Sequence, residues 1–184
     1  MWTLPNILTL MRIFIIPFLV GSFYMDNPIL GSWIAFLTFA LASITDFFDG
    51  YLARNSGSVS KIGQFLDPIA DKLMVAAAII MLTSFQWVHG LHVIAALIIL
   101  LRELLVSGLR EFLAGVRVSV PVSWLAKWKT TIQMVALAAL LAGPAFGSFG
   151  FPAHEIGLYG LWLAAILTVY TGFDYLRAGL KHMV

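Results

Sequence analysis

The sequence lacks cysteine entirely and has few charged residues for its length. With no cysteine among 184 residues, disulfides, thiolate nucleophiles and cysteine-ligated zinc are all excluded. Charged residues make up 11% of the chain, whereas an ordinary soluble domain has about 25%. So few charges cannot cover a water-exposed surface, and 61% of the residues are hydrophobic. The composition therefore predicts an integral membrane protein, and the length predicts one domain over residues 1–184.

The charge balance and the N-terminus exclude some partners and signals. A net charge of +2 is too small to favour nucleic acid as a partner, since nucleic-acid-binding domains cluster many cations on one surface. The first apolar stretch is not preceded by a basic segment or followed by a small-residue cleavage site. We therefore expect no cleaved signal peptide.

Six stretches are apolar and long enough to be membrane helices, which need about 20 residues each. They cover residues 7–25, 29–50, 67–85, 91–113, 123–143 and 155–174. Pro28, Pro144 and Pro152 are expected to mark turns between them, because proline interrupts helices. The sequence thus predicts an all-α fold of six transmembrane helices.

The positions of the charges predict the topology. The connections after the first, third and fifth stretches contain none of the eleven Lys and Arg residues. Positively charged residues of membrane proteins stay in the cytoplasm. We therefore expect both termini, and the second and fourth connections, to be cytoplasmic. Most of the carboxylates lie at the same helix ends, which predicts a polar cavity at the cytoplasmic side.

Four aspartates form the most informative pattern in the chain. Asp46 and Asp49 are spaced i,i+3 at the end of the second stretch, and Asp67 and Asp71 are spaced i,i+4 at the start of the third. Each pair shares a helix face, and the short connection makes the two helices antiparallel neighbours. Converging carboxylates suit two Mg²⁺ or Mn²⁺ ions, which can clamp the oxygens of a phosphoryl displacement. Helix capping or Asp–Arg pairing is the alternative explanation.

The same stretch, residues 46–71, resembles the signature of the CDP-alcohol phosphotransferase family. The pattern D-x2-D-G-x2-A-R-x8-G-x3-D-x3-D matches at all eight specified positions. The resemblance implies a six-helix protein of the bacterial cytoplasmic membrane, a homodimer that transfers a phosphatidyl group from CDP-diacylglycerol to an alcohol. It also implies that Asp46, Asp49 and Asp67 bind the two metal ions and that Asp71 contacts a metal and acts as general base. The residues expected to bind the CDP group are Gly50, Ala53, Arg54, Gly63, Asn6 and Thr9.

Cations at two further helix ends bear on the acceptor alcohol. The predicted acceptor-phosphate ligands are Arg102, Arg110, Lys127 and Lys129, because clustered cations suit a phosphate dianion. The pattern Arg-Glu…Leu-Arg-Glu followed by Lys-x-Lys-Thr is similar to family members that use glycerol 3-phosphate. Inositol phosphate, serine or phosphatidylglycerol stay open as alternative acceptors, and a cation transporter is a remoter alternative. No role is predicted for Arg12, Lys61, Lys72, Glu103 and Glu111.

Overall fold

The part of the chain that the structure describes folds into six α-helices. The computed structural model describes residues 4–56, 61–116 and 124–180, and these contain no β-strand. The helices are α1 (Leu4–Ser22), α2 (Pro28–Ser56), α3 (Lys61–Ser84), α4 (His92–Gly115), α5 (Trp124–Gly147) and α6 (Ala153–Leu180). The predicted all-α class and the number of helices are confirmed, and α2, α3 and α6 extend several residues beyond the apolar stretches.

Four helices are long and apolar enough to cross a membrane. These spans are Pro28–Thr45, His92–Gly115, Trp124–Gly147 and Ala153–Arg177. The apolar part of α1 is shorter, Ile7–Ser22, and α3 carries the charged residues Asp67, Asp71 and Lys72 in its first half. The four apolar spans indicate a multi-pass membrane protein, and the six crossings stay a prediction.

Contacts among the last three helices show their directions. Ala136 lies against Gly160 and Leu140 against Gly157, so α5 and α6 are antiparallel. Between α4 and α6 the contacts keep a constant sequence separation. They join His92 to Trp162, Arg102 to Gly172 and Leu109 to Gly179. A constant separation requires parallel helices, so α4 and α6 end on the same side of the molecule, where α5 begins.

The first three helices follow the same alternation. Arg12 contacts Asp71 near the middle of α1 and α3, and Phe23 packs on Phe85 just beyond their ends, so these helices are parallel. Trp33, near the start of α2, packs on Phe146, near the end of α5. The odd-numbered helices therefore begin where α4 and α6 end, which agrees with the clustering of charges expected from the sequence.

Small residues allow the helix backbones to approach closely. A Cβ atom on Gly157 would lie 2.7 Å from Cγ of Leu140, and one on Gly31 would lie 2.3 Å from the carbonyl oxygen of Ser22. Close packing through small residues is the usual way in which membrane helices associate. It holds α5 firmly against α6, and both of these helices line the candidate site.

Pro144 lies inside α5, so the prediction that it marks a turn is wrong. A proline within a helix cannot donate a hydrogen bond, and its ring pushes away the carbonyl one turn earlier. Here Ser32 of α2 supplies compensating bonds: its hydroxyl donates to the carbonyl of Leu141 at 2.6 Å and accepts from the N–H of Ala145 at 3.2 Å. The neighbouring helix therefore lets α5 continue past the proline to Gly147.

Candidate active site

The four signature aspartates lie in α2 and α3, as the sequence predicted. Asp46 and Asp49 belong to α2, and Asp67 and Asp71 belong to α3. The description of side chains excludes residues 4–6, 46–56, 61–65, 67, 178 and 180. The predicted site residues that fall outside the described side chains are Asn6, Asp46, Asp49, Gly50, Ala53, Arg54, Gly63 and Asp67. The convergence of the four carboxylates therefore stays a prediction.

Asp71 is held by a cation to which the sequence gave no role. Nη1 of Arg12 donates a hydrogen bond to Oδ1 of Asp71 at 2.5 Å. The Arg12 side chain is 2% exposed, whereas that of Asp71 is 45% exposed. A buried guanidinium is costly without a carboxylate partner, so this pair links α1 to α3. Thr9, one turn before Arg12, is also buried, so the same face of α1 presents both residues.

A cavity of about 320 Å³ opens beside this pair, between α3, α4, α5 and α6. Its lining includes the cations Lys72, Arg102 and Arg110, and the carboxylates Glu103 and Glu111. Glu103, Ser107, Arg110 and Ala114 recur at helical spacing, so one face of α4 supplies much of the wall. Pro68 and Lys72 of α3 complete the wall, and Lys72 follows Asp71 directly in the sequence, although Asp71 itself is not among the lining residues. The cavity is therefore next to the aspartate helix and can accept a small anion.

Arg102 is fixed in the cavity wall by contacts along its whole side chain. Its Nη2 donates to Oγ1 of Thr171 at 2.9 Å, and its Nη1 lies 3.7 Å from Oε1 of Glu103. A Cβ atom on Gly172 would lie 3.1 Å from Cγ of Arg102, so the absence of a side chain at this position makes room for the arginine stem. Arg102 thus lines the cavity with its guanidinium already oriented; its role as a phosphate ligand stays a prediction.

The two predicted lysines lie in different environments. Lys129 is 1% exposed and donates a hydrogen bond to Oε1 of Glu103, so it stands behind the cavity wall. Lys127 is exposed and is not among the residues that line the cavity. The structure therefore brings Arg102 and Arg110 to the cavity, links Lys129 to it through Glu103, and leaves Lys127 outside.

Sequence reasoning left three charged cavity residues without a role: Lys72, Glu103 and Glu111. A signal for Glu103 was present, because it shares its helix face with Ser107 and Arg110. Lys72 follows a signature aspartate directly, but a neighbour in a helix points about 100° away. Its position in the wall depends on how α3 is rotated against α4, which the sequence does not give.

Comparison with known proteins agrees with the signature. The model of the CDP-alcohol phosphatidyltransferase family matches residues 2–170. A Rickettsia bellii protein named CDP-diacylglycerol–glycerol-3-phosphate 3-phosphatidyltransferase is 51% identical over 179 residues, which cover 97% of this chain and 96% of that protein. A protein of the same name from Rickettsia felis is 50% identical over 179 residues, with the same coverage of each chain.

A more distant relative gives the same result. The protein of that name from Pectobacterium atrosepticum is 42% identical over 182 residues, which cover 96% of this chain and 94% of the relative. The matches extend over nearly the full length, so they include the helices that carry the aspartates and those that line the cavity. This chain belongs to the CDP-alcohol phosphatidyltransferase family.

Proposed function

We propose that this chain transfers the phosphatidyl group of CDP-diacylglycerol to glycerol 3-phosphate, forming phosphatidylglycerol phosphate and CMP. The observation that carries the proposal is a cation-lined cavity beside Asp71, of a size that suits a small phosphorylated alcohol. The names of the relatives support this acceptor. The protein would act in the bacterial cytoplasmic membrane as a multi-pass homodimer, with the cavity open to the cytoplasm.

The reaction is a direct displacement at phosphorus. The primary hydroxyl oxygen of glycerol 3-phosphate attacks the lipid-side phosphorus of the pyrophosphate, and CMP leaves with the electron pair of the broken P–O bond. Asp71 takes the hydroxyl proton, and general-base help of this kind contributes about 10²- to 10⁴-fold. The hydrogen bond from Arg12 to Oδ1 orients the carboxylate.

The donor half of the site rests on the aspartate helices. Asp46, Asp49, Asp67 and Asp71 are hard oxygen donors that fit two Mg²⁺ or Mn²⁺ ions, which would neutralise charge on the pyrophosphate. The half-exposed carboxylate of Asp71 is consistent with that role. The residues proposed to bind the CDP group are Gly50, Ala53, Arg54, Gly63, Asn6 and Thr9. The acyl chains stay in the bilayer while this headgroup reaches the cytoplasmic end of the helices.

The acceptor half is the cavity. Arg102 and Arg110 hold the phosphate, and positioning in this way removes much of the entropic barrier. Lys129 acts indirectly, because its bond to Glu103 fixes the carboxylate beside Arg102. Lys127, which lies outside the lining, would contribute at most at long range.

An acceptor screen with purified protein and labelled CDP-diacylglycerol tests the proposal. We expect CMP release and phosphatidylglycerol phosphate with glycerol 3-phosphate, and little product with free glycerol, serine or inositol phosphate. A chelator should stop the reaction, and Mg²⁺ or Mn²⁺ should restore it. Equal use of free glycerol would contradict the phosphate pocket, and full turnover in excess chelator would contradict the metal ions.

A further inference from the structure

The charges around the cavity differ in whether a carboxylate already engages them. The ion pairs formed between described residues are Arg12–Asp71, Arg102–Glu103 and Lys129–Glu103. Lys72 and Arg110 line the cavity, and neither forms an ion pair with any residue whose side chain the structure describes. An incoming dianion therefore meets two cations whose charge is not already balanced, and one of them, Lys72, has no role in the proposed reaction.

The ammonium group of Lys72 is lightly engaged. Nζ donates to the carbonyl oxygen of Pro68 at 2.7 Å, one turn earlier in the same helix. An ammonium has three donors, so two stay available to a ligand. The carbonyl of Pro68 is a neutral acceptor, whereas a phosphate oxygen would add a negative charge opposite the ammonium. A phosphate can therefore draw Nζ from its helix without breaking an ion pair.

The other cations of the wall are less free to respond. Lys129 is buried and bound to Glu103, so moving it would leave a carboxylate without its partner. Arg102 is held by Thr171 and by packing on Gly172. These groups form a fixed surface, whereas Lys72 has a flexible four-carbon stem whose head can follow the substrate.

We propose that Lys72 binds the phosphate of the acceptor, opposite Arg110, and so determines the preference for a phosphorylated alcohol over a neutral one. This assignment rests on the proposed function, because it concerns the same cavity. Lys72 is adjacent to Asp71 in α3, so one turn of helix carries both the proton acceptor and the phosphate anchor. Glycerol 3-phosphate has its attacking hydroxyl and its phosphate at opposite ends of a three-carbon chain, which can bridge the two side chains.

The test compares Lys72→Met, which keeps the length of the side chain without its charge, with Lys72→Arg. We expect Lys72→Met to raise KM for glycerol 3-phosphate on the order of 10- to 150-fold, the effect of losing one charged hydrogen bond. KM for CDP-diacylglycerol should stay nearly unchanged, and Lys72→Arg should recover most of the affinity. Arg177→Gln, which removes an exposed cation near the end of α6, is the matched control and should leave both KM values unchanged.

A measurement on the unaltered protein covers the case in which Lys72→Met does not fold. Lysine-selective acetylation, followed by mass spectrometry, should show Lys72 protected by glycerol 3-phosphate and by inorganic phosphate, but not by glycerol. Unchanged labelling, or an unchanged KM in a folded Lys72→Met variant, overturns the assignment. If the wild-type protein does not use glycerol 3-phosphate at all, the proposed function fails instead, and phosphate protection of Lys72 still reports on the anion site.

Discussion

The two sides of the cavity use charge in different ways. On the side of α4, α5 and α6, Lys129 is 1% exposed and Glu103 is 22% exposed, and the two are hydrogen-bonded to each other. On the side of α1 and α3, Arg12 is equally buried, but its partner Asp71 is 45% exposed. The Lys129–Glu103 pair keeps its charges largely within the protein, whereas Asp71 is half exposed and its neighbour Lys72 lines the cavity.

The difference indicates that the Lys129–Glu103 pair has a structural role, whereas Asp71 takes part in the reaction. A buried pair stabilises a particular packing and is costly to break. The carboxylate of Asp71, in contrast, is half exposed and can be reached from outside the protein. We therefore expect substitutions in the Lys129–Glu103 pair to change stability first, and substitutions of Asp71 to change the rate first.

The largest effect is expected for Asp71→Asn. The amide keeps the shape and can still accept a hydrogen bond from Arg12, but it cannot take the proton of the acceptor hydroxyl. The value of kcat should fall by about 10²-fold or more, measured as CMP release at saturating substrates. Thermal unfolding serves as the control, because Arg12 loses its charged partner. A folded Asp71→Asn protein with near-normal kcat would show that another group is the base.

Glu103→Gln tests the opposite side. The change leaves the ammonium of Lys129 buried without a counter-charge, so the free energy of unfolding should fall by about 3–5 kcal/mol. Lys129→Met should cost less, because the carboxylate it leaves behind lines the cavity and can reach water. Chemical unfolding in detergent measures both changes.

The double variant Glu103→Gln with Lys129→Met is the control for this pair. It removes both charges, so its loss of unfolding free energy should be smaller than the sum of the losses in the two single variants. Additive losses would mean that the two charges do not stabilise each other, and the proposed contrast between the two sides would then be lost.

Arg110→Ala and Arg54→Ala test whether the site is divided into a donor half and an acceptor half. Loss of a charged hydrogen bond costs about 1.5–3 kcal/mol, or roughly 10- to 150-fold in affinity. Arg110→Ala should raise KM for glycerol 3-phosphate by that order and leave KM for CDP-diacylglycerol nearly unchanged. Arg54→Ala should do the reverse. An effect of Arg110→Ala on the donor alone would place the acceptor elsewhere.

The gathering of charges at one end was predictable from the sequence, because it depends only on helix length and alternating direction. Arg110 and Glu111 lie towards the end of α4, and Lys127 lies near the start of α5, whereas Arg12, Asp71 and Arg102 lie nearer the middle of their helices. The facing of individual side chains was not predictable. Lys127 and Lys129 are two residues apart, about 200° around the helix, and only the packing of α5 decides which of them is buried.

Partners across helices were equally hidden from the sequence. The sequence does not predict that Glu103 binds Lys129, because the two residues belong to different helices, and packing sets how those helices are rotated against each other. Pro144 was read as a helix end because proline interrupts helices when its neighbourhood offers no compensation. The compensation comes from Ser32, more than 100 residues earlier in the chain, which no local rule can include.

Ser32→Ala is expected to have the smallest effect, and it lies away from both sides of the cavity. Ser32 is fully buried, and its hydroxyl joins the carbonyl of Leu141 to the N–H of Ala145 around Pro144. Alanine would leave these backbone groups without the hydroxyl, so the free energy of unfolding should fall by about 1–3 kcal/mol.

Thr45→Ala is the matched control for Ser32→Ala. The Thr45 hydroxyl also bonds to backbone carbonyls, but only to Leu41 and Ala42 of its own helix, so its loss should change stability little. Both variants should keep the KM values of the wild-type protein, because neither residue lines the cavity. If Ser32→Ala is as stable as Thr45→Ala, then α5 passes Pro144 without help from α2. The two helices would then be held by side-chain packing alone, such as that of Trp33 on Phe146.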